Sequence, residues 1–153
     1  MYENYMARKG CILADDMGLG KTVQVSVLIT SLIKSGKLKD TVIVAPPSLL
    51  EYWETEFMRW KPTEISVPII KINSKKDAFI LDRINCSKNL SRVFILSSNA
   101  FHDLKNQLQY LIYCDLMIID EGHKAKNVET NLRKSIKDFY SNRQKIILTG
   151  TPV

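Results

Sequence analysis

Two clusters of side chains in this 153-residue chain have the types and spacing to work on a nucleoside triphosphate. The first is Asp15-Asp16-Met17-Gly18-Leu19-Gly20-Lys21-Thr22. Gly18 and Gly20 let the backbone approach a phosphate closely. The amides of Leu19 to Thr22 would point at that phosphate, with a helix dipole behind them. Lys21 would bring a point charge to the β- and γ-phosphates, and the Thr22 hydroxyl would ligate Mg²⁺. The second cluster is Asp120-Glu121, directly after Leu116-Met117-Ile118-Ile119. There Asp120 would hold Mg²⁺ through water, and Glu121 would orient or deprotonate the attacking water.

Each cluster has a plainer alternative. The strict phosphate-loop pattern G-x-x-x-x-G-K-[ST] has glycine at the position of Asp15, so the first could be a glycine turn capping a helix, with Lys21 solvated. An apolar run ending in two acids is often only a strand meeting solvent. What favours chemistry is context: a strand before the glycines, a helix after them, and the acids 99 residues beyond Lys21 (120 minus 21).

The elements that must position these residues are legible as alternating short and long segments. Runs rich in Val and Ile predict strands over 11–14, 41–45, 69–72, 93–96, 116–119 and 145–148. They are apolar on successive residues, as strands covered on both faces are. Between them lie helical periodicities. Leu49, Trp53 and Phe57 fall on one face, behind a predicted capping box from Ser48 to Glu51. Phe101, Leu104, Leu108 and Leu111 form a second face, and Leu132, Ile136 and Phe139 a third. Residues 21–35 are apolar on most sides and stop at Gly36, which predicts a buried helix. The β-α-β-α order predicts a doubly wound parallel sheet of the α/β class. In such sheets the C-terminal strand ends carry the site, and Asp120 stands at one.

Composition narrows the field. Hydrophobic residues make up 45% and charged residues 25%, values of an ordinary globular domain. No run approaches the ~20 apolar residues of a membrane span, and the first residues lack the basic-then-apolar order of a secretory leader. A membrane partner is therefore not expected. Three widely spaced cysteines, Cys11, Cys86 and Cys114, fit neither a disulfide framework nor a zinc site. The net charge of +6 is shared evenly, with 11 basic against 8 acidic residues in each of 1–76 and 77–153. That permits nucleic-acid binding without requiring it.

Several segments resemble the SNF2-family ATPases of helicase superfamily 2, motors that translocate on double-stranded DNA. The stretch from Ile12 to Gln24 resembles the family's motif I, in which Asp at position 15 is normal. The stretch from Asp120 to Asn127 is similar to motif II, Leu148-Thr149-Gly150-Thr151-Pro152 to motif III, and Val42 to Leu50 with Trp53 to motif Ia. Asp16 stands where Glu is usual, and Ser97-Ser98-Asn99 replaces a Ser/Thr-Tyr pair that contacts the DNA backbone. The order Asp-Asp-Met-Gly-Leu-Gly-Lys-Thr-Val-Gln leans toward the Cockayne syndrome group B-like repair subgroup.

The resemblance implies a RecA-like P-loop NTPase lobe over 1–153, the N-terminal helicase ATP-binding domain. It would be incomplete at both ends, with an adenine-reading Gln motif before Met1 and a second RecA-like lobe, carrying an arginine finger, after Val153. It also implies ATP and Mg²⁺ as cofactors, double-stranded DNA held by its backbone, and a nuclear location in a eukaryote. Lys21, Asp120, Glu121 and His123 would form the catalytic set, His123 coupling the γ-phosphate to motif III.

Other readings stay open at this point. An RNA-helicase lobe usually shows Ser-Ala-Thr where this chain has Thr149-Gly150-Thr151-Pro152. A non-catalytic module derived from the motor is a third. Thr149 and Thr151 either relay nucleotide state or merely end a strand. His102 is expected to be structural. Trp53, Phe57 and Trp60 are expected to pack in the core or against a second lobe rather than stack on bases. Lys34, Lys37, Lys39, Lys75 and Lys76 are expected at the solvated surface, and Lys124 and Lys126 near phosphate or the second lobe.

Overall fold

A computed structural model describes residues 1–16, 18–84, 90–120, 126–139 and 144–150, with side chains described from 131 onward within the helix that starts at 126. The elements are α1 (Tyr2–Met6), β1 (Cys11–Leu13), α2 (Lys21–Lys34), β2 (Asp40–Ala45), α3 (Leu50–Trp60), β3 (Ile69–Ile72), α4 (Phe79–Asp82), β4 (Arg92–Ser97), α5 (Ser98–Leu111), β5 (Cys114–Asp120), α6 (Lys126–Asp138) and β6 (Gln144–Leu148). The six strands form one sheet in the order β1-β6-β5-β2-β4-β3, and every pairing is parallel. All six predicted strands are present, several extended by polar residues at their ends. The doubly wound α/β expectation holds.

Two apolar layers cover the sheet. On one face Val25, Ile29 and Leu32 of α2 and Leu50, Trp53 and Phe57 of α3 pack on Ile43, Ile95, Leu116, Ile118, Ile146 and Leu148. On the other, Phe101, Leu104 and Leu108 of α5, Leu132 of α6 and Phe139 just after it pack on Val42, Val44, Phe94, Met117 and Ile119. β2 is buried at every position, as a central strand of a two-sided sheet must be. The second layer stops short of the β1 edge. Ile12 and its register partner Ile147 are exposed on that face.

Two local expectations are corrected. The Ser48–Glu51 capping box does not form. Pro47 opens a single 3-10 turn over Pro47–Leu49, so Ser48 lies inside helical backbone, and a cap needs an extended residue. A capping box forms instead at Ser74, whose backbone N–H donates to the Asp77 carboxylate at 3.0 Å. α2 is not enclosed all round, since Val27 faces solvent. Its end agrees with the sequence: Gly36 N–H donates to Ile33 O and Lys37 N–H to Leu32 O, both at 2.9 Å. Trp60 is exposed, unlike Trp53 and Phe57.

Candidate functional site

The strand register brings the entry to the glycine loop and Asp120 to one edge. Leu13 pairs with Leu148, and Leu148 pairs with Asp120, so the last residues of β1, β6 and β5 lie in one row. Adjacent strands are ~4.8 Å apart, which separates the entry to the glycine loop from Asp120 by about two strand spacings. The buried Thr149 closes the row, its N–H donating to Leu13 O at 3.1 Å.

Alternation along β5 sends Leu116, Ile118 and Asp120 to the same face. That is the face α2 and α3 cover. α2 carries Thr22, nearly buried in its first turn. α3 carries Trp53, whose indole Nε1–H donates to Asp120 Oδ2 at 2.7 Å. The threonine hydroxyl and the aspartate are hard oxygen donors facing one layer. That donor chemistry suits a small divalent cation such as Mg²⁺.

The glycine loop has the backbone the sequence called for. Gly18 and Gly20 have φ of 87° and 74°, and Gly20 is the left-handed N-cap of α2. A Cβ at Gly18 would meet nothing within 4 Å, so the requirement there is conformational rather than spatial. Lys21 is folded back over the loop. Its Nζ donates to Asp15 O at 2.7 Å and Asp16 O at 2.9 Å, positions a phosphate would have to compete for. Asp15 Oδ2 accepts from the Gln24 amide at 3.3 Å, which braces the loop against the first turn of α2. Leu19 N–H is engaged in a turn with Asp16 O at 3.3 Å and is not aimed outward.

Met17, Glu121, His123, Lys124 and Thr151 lie outside the described residues, as do Cys86 and the side chain of Lys126. His102 ties α5 to α6 through its Nδ1 and the buried Ser135 Oγ, 2.7 Å apart, which agrees with a structural role. The groove beside it, about 280 Å³, is lined by Ser98, Asn99, Asp103, Asn131 and Leu132. Ser97 caps α5, its Oγ accepting from Ala100 N–H at 3.1 Å. Lys34, Lys37, Lys39, Lys75 and Lys76 are all exposed.

Sequence reasoning missed the reach of Trp53 to Asp120. Its one signal was a tryptophan on the buried face of the helix after β2, and nothing local could name a partner 67 residues away.

A family model described as "SNF2-related domain" matches residues 1–153. The chain belongs to the SNF2-related domain family. Curated relatives include the chromatin structure-remodeling complex subunit snf21 of Schizosaccharomyces pombe, 36% identical over all of this chain and 12% of that protein. The DNA repair and recombination protein RAD54 of Oryza sativa subsp. japonica is 36% identical over 94% of the chain and 15% of that protein. A probable ATP-dependent DNA helicase, CHR23 of Arabidopsis thaliana, is 38% identical over 93% of the chain and 13% of that protein. The SNF2-related domain therefore spans only 12–15% of these relatives. Among solved structures, the Sulfolobus solfataricus SWI2/SNF2 ATPase core in complex with dsDNA shares the fold, with a TM-score of 0.70 at 24% identity. It covers 99% of this chain and 30% of that one. The RecA-like lobe that the sequence implied is thus the fold observed, in an SNF2-related domain. No helix among the described residues is long and apolar enough to cross a membrane.

Proposed function

We propose that residues 1–153 are the N-terminal, ATP-binding lobe of an SNF2-type motor that hydrolyses ATP with Mg²⁺ to move on double-stranded DNA. The observation that carries this reading is the row Leu13, Leu148, Asp120, which sets a glycine loop and a carboxylate at one sheet edge.

In this reading the amides of Gly20, Lys21 and Thr22 and the helix dipole of α2 receive the β-phosphate, and Lys21 leaves the Asp15 and Asp16 carbonyls to bridge the β- and γ-phosphates. Thr22 and Asp120 would hold the cation, Asp120 through water. When bound, Mg²⁺ neutralises charge developing on the leaving phosphate oxygens. Glu121 orients the attacking water and takes its proton, and His123 reports the γ-phosphate to Thr149. Asp15, Asp16, Met17, Gly18, Leu19 and Gly20 complete the phosphate cradle. Catalysis is mainly positioning and charge stabilisation.

A second RecA-like lobe supplies the arginine finger, which typically contributes about 10³–10⁵ in rate. The chain alone should bind ATP·Mg weakly and turn it over hardly at all. The duplex would lie along the segments after β2 and β4, Pro46-Pro47 and the first turn of α5 at Ser98-Asn99, and be held by phosphates without sequence preference. Remodelling or repair in a nucleus fits the named relatives, and the Asp15-Asp16-Met17 variant of motif I supports a repair motor of the Cockayne syndrome group B-like kind. The test is ATP hydrolysis by the full-length protein with duplex DNA or RNA added. Stimulation by duplex DNA that Lys21→Ala abolishes is expected. DNA-stimulated turnover surviving Lys21→Ala would overturn the site.

A further inference from the structure

We propose that Trp53 is a positioning residue for the Asp120 carboxylate, setting the affinity of the Mg²⁺ subsite. This rests on the reading of Thr22 and Asp120 given above.

A carboxylate at the end of a strand has two soft torsions, so a carboxylate that must meet a metal-bound water needs a second partner to hold its plane. Trp53 supplies one. Its indole Nε1–H donates to Oδ2 at 2.7 Å, a short bond of the kind made to an ionised acceptor. The indole is only a donor and does not titrate near neutrality, so it cannot compete as a metal ligand or lose its proton to the site.

Trp53 is also rigidly placed. It has no exposed surface, lies in one apolar cluster with Leu50, Phe57 and Ile118, and sits one helical turn into α3. Phenylalanine or leucine could fill the same apolar layer. A buried tryptophan is explained by its polar edge, because an indole N–H without an acceptor is costly in a core. The pairing joins α3 to β5 at the one residue of that strand whose carboxylate faces the phosphate loop's own layer.

The test is the Mg²⁺ dependence of nucleotide affinity, measured with a fluorescent ATP analogue in the full chain, alongside affinity in EDTA. Trp53→Phe keeps the ring and removes the N–H. It should raise the half-saturating Mg²⁺ concentration about 10- to 100-fold while leaving the EDTA affinity unchanged. Loss of general packing would lower both together. Asp120→Ala is the control for the underlying site and should abolish the Mg²⁺ enhancement. If Asp120→Ala has no effect, the metal-site reading fails. If Asp120→Ala acts and Trp53→Phe matches wild type, only the role of Trp53 fails.

A second measurement does not depend on Trp53→Phe folding. Within residues 1–153 Trp60 is the only other tryptophan, so in this 153-residue chain Trp60→Phe leaves a single indole proton resonance. That resonance should move when Mg²⁺ joins bound ADP, and the movement should vanish in Trp60→Phe/Asp120→Ala. A resonance indifferent to Mg²⁺ in a protein whose nucleotide affinity responds to Mg²⁺ would overturn the proposal.

Discussion

The two edges of the sheet each hold a strand-end aspartate, and the two are treated in opposite ways. At the N-terminal edge Asp40 has no exposed surface. Arg92 grips it with two charge-assisted bonds, Nε to Oδ1 at 2.8 Å and Nη2 to Oδ2 at 2.7 Å, and Tyr113 N–H adds a third at 3.0 Å. Asp40 pairs in register with Arg92 and with Cys114, so the clamp fastens the starts of β2, β4 and β5 together. At the C-terminal edge Asp120 is half-buried and is met by the neutral indole of Trp53. Along the same edge are left-handed glycines and a lysine resting on its own loop carbonyls. The first edge is built to close the fold. The second keeps its polar groups on exchangeable partners, which is what a ligand site requires.

This contrast makes substitutions at the two edges separable. The largest stability loss should come from Asp40→Ala, which strands the buried Arg92 guanidinium and should cost about 3–5 kcal/mol in a urea melt. Lys21→Ala should leave the same melt within about 0.5 kcal/mol, since its bonds are to loop carbonyls that are exposed or only partly buried. If the two variants unfolded at one urea concentration, the contrast would be wrong.

Gly10→Ala comes next. A Cβ there would stand 2.9 Å from the backbone carbonyl oxygen of Lys145, where β1 starts beside β6. Backbone cannot swing aside as a side chain can, so a loss of about 1–3 kcal/mol is expected in the same assay. A neutral result would mean that the β1 edge is free to shift. Ser97→Ala, which removes the cap of α5, should cost about 1 kcal/mol.

The smallest effect belongs to the other sheet edge, β3. Lys71 there binds Glu51 and Glu54 of α3, and those bonds, Glu51 first, hold its ammonium above the ordinary lysine range. The folded state therefore binds this proton more tightly than the unfolded state. The stabilisation is complete below about pH 10.5 and fades as pH rises through the raised folded value. Solvent screens this largely open pair, so its worth is under about 1 kcal/mol. Comparing alkaline melts of wild type and Lys71→Met would show it, the difference shrinking as pH climbs.

What could be read in the sequence follows the same division. Runs such as Val42-Ile43-Val44 announce buried strands because both their faces are covered. The strand ends escaped the pattern. Asp40, Arg92, Ser97 and Gln144 are polar, and only the fold supplies the partners that let Asp40 and Arg92 lie buried. The glycine loop was legible because its conformation is local to Gly18 and Gly20. The Ser48 cap was misread because a proline one residue earlier had already begun the turn. Asp40 with Arg92 and Trp53 with Asp120 were invisible for a common reason: each joins residues more than 50 positions apart, and neither side chain type specifies the other.

The account turns on Lys21 and Asp120 acting on a single triphosphate, and a double-mutant cycle on Mg·ATP affinity tests that most directly. Lys21→Ala, Asp120→Ala and the double variant should be measured by calorimetry under one Mg²⁺ concentration. The expected result is strong non-additivity, with the double variant binding about as weakly as Lys21→Ala alone. Two losses that simply multiply would place the residues at independent sites and contradict the account.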